Sequence, residues 1–197
     1  YSNTIQNCNH GISLSGYAAA SPFTLGDTNN DVGGTSALTG NSILNYGGGG
    51  ATQSAGIRAQ NQWGLNVSFN TINNNDGAGV NHNGPLRGIY AQSGTSASVN
   101  INNNTITLTS GTTGGSACTP IENAIGSTAA ANTVNINDNT ITASLPSATT
   151  ANFVAISQTA TAANVNVNGN IIQNCSLPGS GSWTGILNSS ATGTISL

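Results

Sequence analysis

Val99-Asn100-Ile101-Asn102-Asn103-Asn104-Thr105-Ile106 decides the fold. Apolar residues alternate with Asn over Val99-Asn100-Ile101, which turns one side of a strand to a core and the other to water. Asn104 follows, and then a second short segment with one inward Ile, Ile106. The same order recurs as Val134-Asn135-Ile136 ahead of Asn139-Thr140-Ile141, as Leu65-Asn66-Val67 ahead of Asn70-Thr71-Ile72, and as Val165-Asn166-Val167 ahead of Asn170-Ile171-Ile172. Asn3-Thr4-Ile5 and Asn41-Ser42-Ile43 bring the Asn motif to six copies. The steps between its asparagines are 41−3 = 38, 70−41 = 29, 104−70 = 34, 139−104 = 35 and 170−139 = 31. A constant unit between unequal spacers is the mark of a repeat array.

A third segment with an Ile follows each variable loop: Gly11-Ile12, Gly56-Ile57, Gly88-Ile89, Ala124-Ile125, Ala155-Ile156 and Gly185-Ile186. Three short strands joined by tight corners close into one coil of a parallel β-helix. The expected architecture is therefore all-β: a right-handed parallel β-helix, a solenoid of about six coils with three short strands each and variable loops. It spans residues 1–197 as a single array. Helical repeats of similar period fail because Gly, Asn, Thr and Ser interrupt every window that would need helix formers at three- and four-residue spacing. Leucine-rich repeats fail on the scarcity of Leu, and a calcium β-roll on its missing Gly-Gly-x-Gly series.

The column Asn3, Asn41, Asn70, Asn104, Asn139 and Asn170 reads as a structural ladder, with amides hydrogen-bonded along the axis. Each ladder Asn is expected at a corner, in the left-handed or bridging backbone that Asn tolerates. A second, partial ladder is expected through Asn7, Asn45, Asn74 and Asn174.

On Val99-Asn100-Ile101, Asn104-Thr105-Ile106, Ala124-Ile125 and their counterparts, the chain resembles the right-handed parallel β-helix family with the pectin-lyase-like fold, over nearly its whole length. That family spans lyases, hydrolases, phage tail spikes and surface adhesins, so the resemblance implies a fold more than an activity. Charged residues make up 4% of the chain, two basic and five acidic, with a net charge of −3. This poverty of charge, with Asn, Thr, Gly and Ala in excess, resembles the long bacterial surface proteins exported by type IX secretion or as autotransporters. The location it implies is extracellular, at the cell surface.

Two arginines without a lysine cannot form the basic stripe that nucleic acid or an anionic membrane requires. No apolar run approaches the roughly 18 residues of a membrane span, so no membrane insertion is expected. No charged start followed by an apolar stretch marks a signal peptide. The chain lacks Met, so Tyr1 is not a translation start. Ser2-Asn3-Thr4-Ile5 begins in mid-coil and Thr194-Ile195-Ser196-Leu197 reads as the first strand of another coil. The expectation is an internal segment of a longer chain, whose remainder is its first partner.

The acids are Asp27, Asp31, Asp76, Glu122 and Asp138. The lyases and hydrolases that the fold resembles need clustered acids, and no two of these share a column on adjacent coils. No catalytic set and no cofactor is expected. Asp76 leads into a turn at Gly77, and Asp138 takes the place that Asn103 has one coil earlier. Asp27, Asn29 and Asp31 could offer oxygens to Ca²⁺, but the acid that would close such a loop is absent. An Asx-rich turn in the long first spacer is expected instead, and no metal. His10 and His82 lack partners at ligand spacing.

Arg58 and Tyr90 should lie outward on adjacent coils, with Trp63, Arg87 and His82 from nearby spacers. They form a candidate face for stacking on a sugar ring, although cross-strand packing accounts for the same pair. Thr105 and Thr107 beside Thr140 and Thr142 make a small hydroxyl grid that does not extend through the second position of other coils. Cys8 and Cys175 occupy equivalent places in the first and last copies, roughly 24 Å apart at 4.8 Å per step, beyond a disulfide's reach. They read as packing residues, and Cys118 as part of a spacer. The expected function is a structural or adhesive stalk segment of a large secreted protein, an adhesin or surface filament tied to attachment or gliding. Its partners would be cell-surface glycans or other surface proteins. The rival is an extracellular glycan-binding or polysaccharide-cleaving β-helix.

Overall fold

A computed structural model describes residues 1–48, 50, 52–75, 77–127, 131–190 and 194–197, with backbone alone at Ala78 and Val80. Three six-stranded parallel sheets wrap into a β-solenoid. The first sheet holds Thr4–Gln6, Ser42–Leu44, Thr71–Asn73, Thr105–Thr109, Thr140–Ser144 and Ile171–Ile172. The second holds His10–Ser15, Ser54–Gln60, Leu86–Thr95, Cys118–Gly126, Phe153–Gln158 and Trp183–Asn188. The third holds Asp31–Val32, Leu65–Ser68, Val99–Asn102, Thr133–Asn137, Asn164–Asn166 and Thr194–Ser196. The chain visits the three in turn, so neighbours within a sheet are one coil apart. Among the described residues the only helical element is a short 3-10 turn at Ala78–Asn81.

Period two in the sequence becomes columns in the core. Ile5, Ile43, Ile72, Ile106, Ile141 and Ile172 stack in register through the first sheet. Ile12, Ile57, Ile89, Ile121, Ile156 and Ile186 do so in the second. Leu65, Val99, Val134, Val165 and Ile195 line the third. The worth of a neighbouring coil can be read from the last one: Ile186 is 36% exposed and Ile195 44%, where Ile156 and Val165, one coil earlier, are 0%. Burying such a side chain stabilises by about 1.5–3 kcal/mol. Coils approach closely where a side chain is missing. A Cβ on Gly88 would lie 2.6 Å from the Pro120 carbonyl oxygen and 2.7 Å from Ile106 Cγ2.

Several expectations change here. Asp31–Val32 is not part of a spacer turn; it is the third-sheet strand of the first coil, with Asp31 opposite Asn66 and Val32 opposite Val67. In the fourth coil the residue that continues the second-sheet column is Ile121, not Ile125, which lies four residues on and opposite Gly94 beyond a register shift. At five of the six corners the left-handed residue is not the ladder Asn but the residue before it; Gly40, before Asn41, is the exception. Ser2, Phe69, Asn103, Asp138 and Gly169 have φ of 54°, 61°, 57°, 56° and 65°. This leaves the ladder Asn free to begin the next strand and turn its amide inward. Cys118 opens a second-sheet strand and is fully buried. It replaces an apolar residue in the core, opposite Leu86 and Phe153. Cys8 and Cys175 are half-buried free thiols, as read from the sequence. Along the first sheet, the leading hydroxyls of Thr4, Ser42, Thr71, Thr105 and Thr140 share one register, so that column runs through five coils although the second does not.

Candidate functional site

The ladder is the most regular feature of the molecule. Each ladder Nδ2 donates to the Oδ1 of the Asn one coil onward: Asn3 to Asn41 at 3.0 Å, Asn41 to Asn70 at 2.9 Å, Asn70 to Asn104 at 3.1 Å, Asn104 to Asn139 at 3.0 Å and Asn139 to Asn170 at 2.9 Å. The same Oδ1 accepts the backbone N–H of the preceding ladder Asn at 2.9–3.1 Å. The second Nδ2 hydrogen reaches back one coil, from Asn70 to the Val32 carbonyl, Asn104 to Val67, Asn139 to Ile101 and Asn170 to Ile136. Every inner ladder side chain from Asn70 to Asn139 thus spans three coils, and all amides point the same way. Asn41, Asn70, Asn104 and Asn139 are at most 3% exposed, so these bonds form away from competing water.

The expected second ladder shrinks to one pair, Asn45 Nδ2 donating to Asn7 Oδ1. Asn74 is buried and turns instead to the carbonyls of Gly79 and Thr109, because the 3-10 turn passes beside it. A different, outer ladder runs along the third sheet, where sequence reasoning placed none. Asn166 Nδ2 donates to Asn135 Oδ1 at 2.8 Å and Asn135 Nδ2 to Asn100 Oδ1 at 2.7 Å. Its signal is the middle Asn of each Val-Asn-Ile or Val-Asn-Val triplet.

The lateral face forms on the second sheet. Arg58 lies in register with Tyr90, and Tyr90 with Glu122. Gln92 Oε1 accepts from Arg58 Nε at 3.0 Å and Nη2 at 2.8 Å, which fixes the guanidinium plane. The cation stacked on the Tyr90 ring is Arg87, at 4.3 Å, not Arg58. Arg87 Nε donates to Glu122, and its Nη1 is buried without a partner. Arg87–Glu122 is the ion pair found among the described residues, so Arg58 keeps no acid beside it there.

Trp63 does not join this face. It is 8% exposed, with Nε1–H donating to the Thr95 carbonyl and its ring against Phe23 at 6.2 Å. His82 is likewise fully buried, its Nδ1 without a partner. His10 stays on the rim, where Nδ1 accepts the Ala55 N–H; burial and the Arg58 charge lower its pKa.

Asp27, Asn29 and Asp31 are pulled apart. Asp27 lies in a two-residue strand, Asn29 at a left-handed corner of φ 56°, and Asp31 in the third sheet. The Asp31 carboxylate accepts from Tyr1 Oη at 2.6 Å, Asn66 Nδ2 at 2.7 Å and the Gly34 N–H at 3.0 Å. Burial opposes its charge, but these hydrogen bonds prevail and lower its pKa. Among the described residues no three His, Cys, Asp or Glu side chains gather as a metal set. Asp138 sits exposed at its corner, and Asp76 lies outside the described residues. No helix among the described residues is long and apolar enough to cross a membrane. Comparison with known protein families, with curated proteins and with solved structures returns no match.

Proposed function

We propose that the chain is a rigid stalk segment of a large secreted cell-surface protein, an adhesin or surface filament whose coils transmit load along the axis. The polarised amide ladder carries this reading. It binds each coil to the two beside it through buried hydrogen bonds, in addition to the backbone ladders of three sheets. A surface of Asn, Thr, Ser and Gly with 4% charge suits a spacer that resists nonspecific ionic attachment. Antibodies raised against the chain should label intact cells of its source, and the labelled polypeptide should have a mass many times 19.5 kDa. Labelling confined to lysed cells would sink the proposal.

A second reading rests on Arg58. A guanidinium whose plane is fixed by Gln92, with no carboxylate in ion-pair range among the described residues and Tyr90 beside it, is prepared for an anionic group of a surface glycan. Arg58→Gln should then abolish binding to acidic glycans on an array. Binding retained in that variant would dismiss this face.

A further inference from the structure

Among the described residues, three sheets of six strands account for all strands but two. Asp27–Thr28 and Gln62–Trp63 pair with each other and belong to none of the three. This pair is a short extra rung of the coil, stacked one coil on the next with the same offset as the third-sheet strands that follow it, 62−27 = 35 and 66−31 = 35. It walls a groove of about 400 Å³ at the corner between the second and third sheets. Four successive coils contribute, through Thr28 and Asn29, Trp63, Ser96 and Ser98, and Asn132.

The chemistry of the groove is uniform. Among the described residues its lining holds no ionisable side chain; it holds three hydroxyls and two amides beside one indole. Ser98 Oγ is already engaged, accepting the Thr133 N–H at 3.0 Å and donating to Asn132 Oδ1 at 3.5 Å, which leaves the Asn132 NH₂ and the Thr28, Asn29 and Ser96 side chains to meet a ligand. An ion placed here would find no countercharge, which disfavours charged ligands. The indole is held in place by the Thr95 carbonyl, by Phe23, and by Gly26, where a Cβ would lie 2.6 Å from the ring. Gly64 leaves room for Asn29, since a Cβ there would meet Asn29 Oδ1 at 2.6 Å. A volume of this size lies within the range of about 300–1,000 Å³ typical of small-ligand sites. A ligand with many hydroxyls and no charge matches these features, with only the edge of the 8% exposed indole for it to touch. We propose that this groove binds a neutral saccharide, independently of the Arg58 face and of the stalk role.

The test uses the whole chain and four neutral probes, the hexasaccharides of cellulose, laminarin, xylan and amylose, with polygalacturonate as the charged control. Binding is followed by isothermal titration and by Trp fluorescence. At least one neutral probe should bind at millimolar concentration or better. Asn132→Ala should weaken it about tenfold, as expected of one hydrogen bond left unmade. Thr28→Trp, which fills the groove, should abolish it, with the far-UV spectrum and Tm of each variant showing that the fold is kept. Arg58→Gln should leave it unchanged. The proposal is overturned if no neutral probe binds, if binding survives Thr28→Trp in a folded variant, or if binding follows Arg58 instead.

Discussion

Replacing Asn104 by Ala removes the centre of the ladder, and the cost follows from the hydrogen bonds that its side chain makes. Asn104 Oδ1 is the acceptor for the buried Asn70 N–H at 2.9 Å, and its Nδ2 supplies Asn139 Oδ1 at 3.0 Å and the Val67 carbonyl at 2.8 Å. Asn70 Nδ2 keeps the Val32 and Ser68 carbonyls, and Asn139 Oδ1 keeps the backbone N–H of residue 104, so those groups remain satisfied. The Asn70 N–H does not, and a buried orphan costs about 1–3 kcal/mol. The two missing donor bonds add about 1 kcal/mol each, giving roughly 3–5 kcal/mol in all. Asn100→Ala is the control: it also removes an inter-coil amide bond, to Asn135, but on the half-exposed outer face, and should cost about 1 kcal/mol or less. Equilibrium urea unfolding followed by circular dichroism gives both values from the midpoints, provided m is unchanged. If Asn104→Ala and Asn100→Ala prove equal within error, the buried ladder has no special role and the reasoning fails.

Other outcomes follow from the same packing and charges. Gly88→Ala, forced against Pro120 and Ile106, should lower stability by about 1–3 kcal/mol in the same assay. Phe69 is a bulky residue held at φ 61°, so Phe69→Asn should raise stability by about 1 kcal/mol; a drop would show that its ring packing outweighs the strain. The Asp31 carboxyl has its pKa lowered in the fold, below its ordinary 3.8. It therefore adds stability that is present above that value and lost as pH falls through the folded pKa, and Asp31→Asn should remove this part of the acid dependence. Burial pushes the Cys118 thiol up to about 12. Ellman's reagent at pH 8 should reach it only on unfolding, and labelling at the rate of a free thiol would contradict its place in the core.

The fold was legible because period two and the Asn-Thr-Ile unit report two constraints that recur from coil to coil: an inward apolar residue on the strands of the three sheets and a ladder amide at each first-sheet entry, buried in the four inner copies. The ladder partners of Asn104 could thus be named from spacing alone. The Asp31–Val32 strand was hidden because eight residues separate it from Asn41, where Val99-Asn100-Ile101 lies only two residues from Asn104. The left-handed corner was placed one residue late, since Ser2, Phe69, Asn103, Asp138 and Gly169 share a backbone requirement but no side-chain type. Ile125 drew the eye because it follows a small residue, as Ile57 and Ile89 do, whereas Ile121 follows Pro120. Arg58 and Tyr90 were paired correctly from their places after Ile57 and Ile89. The partnership of Arg87 with Tyr90 and Glu122 depends on how long side chains lean across coils, which strand periodicity does not encode. Trp63 was placed on the face because nothing in the repeat announces that Phe23 and Gly26 of the first spacer pack against its ring.

Hydrogen exchange of the asparagine side-chain amides, resolved by ¹⁵N NMR in D₂O, tests the central claim most directly. The account predicts that the Nδ2 hydrogens of Asn70, Asn104 and Asn139 remain protected far longer than those of Asn100 and Asn135, as befits donors bridging buried coils. Exchange of all five at the rate of a free amide would mean that no buried ladder binds the coils, and the stalk reading would lose its support.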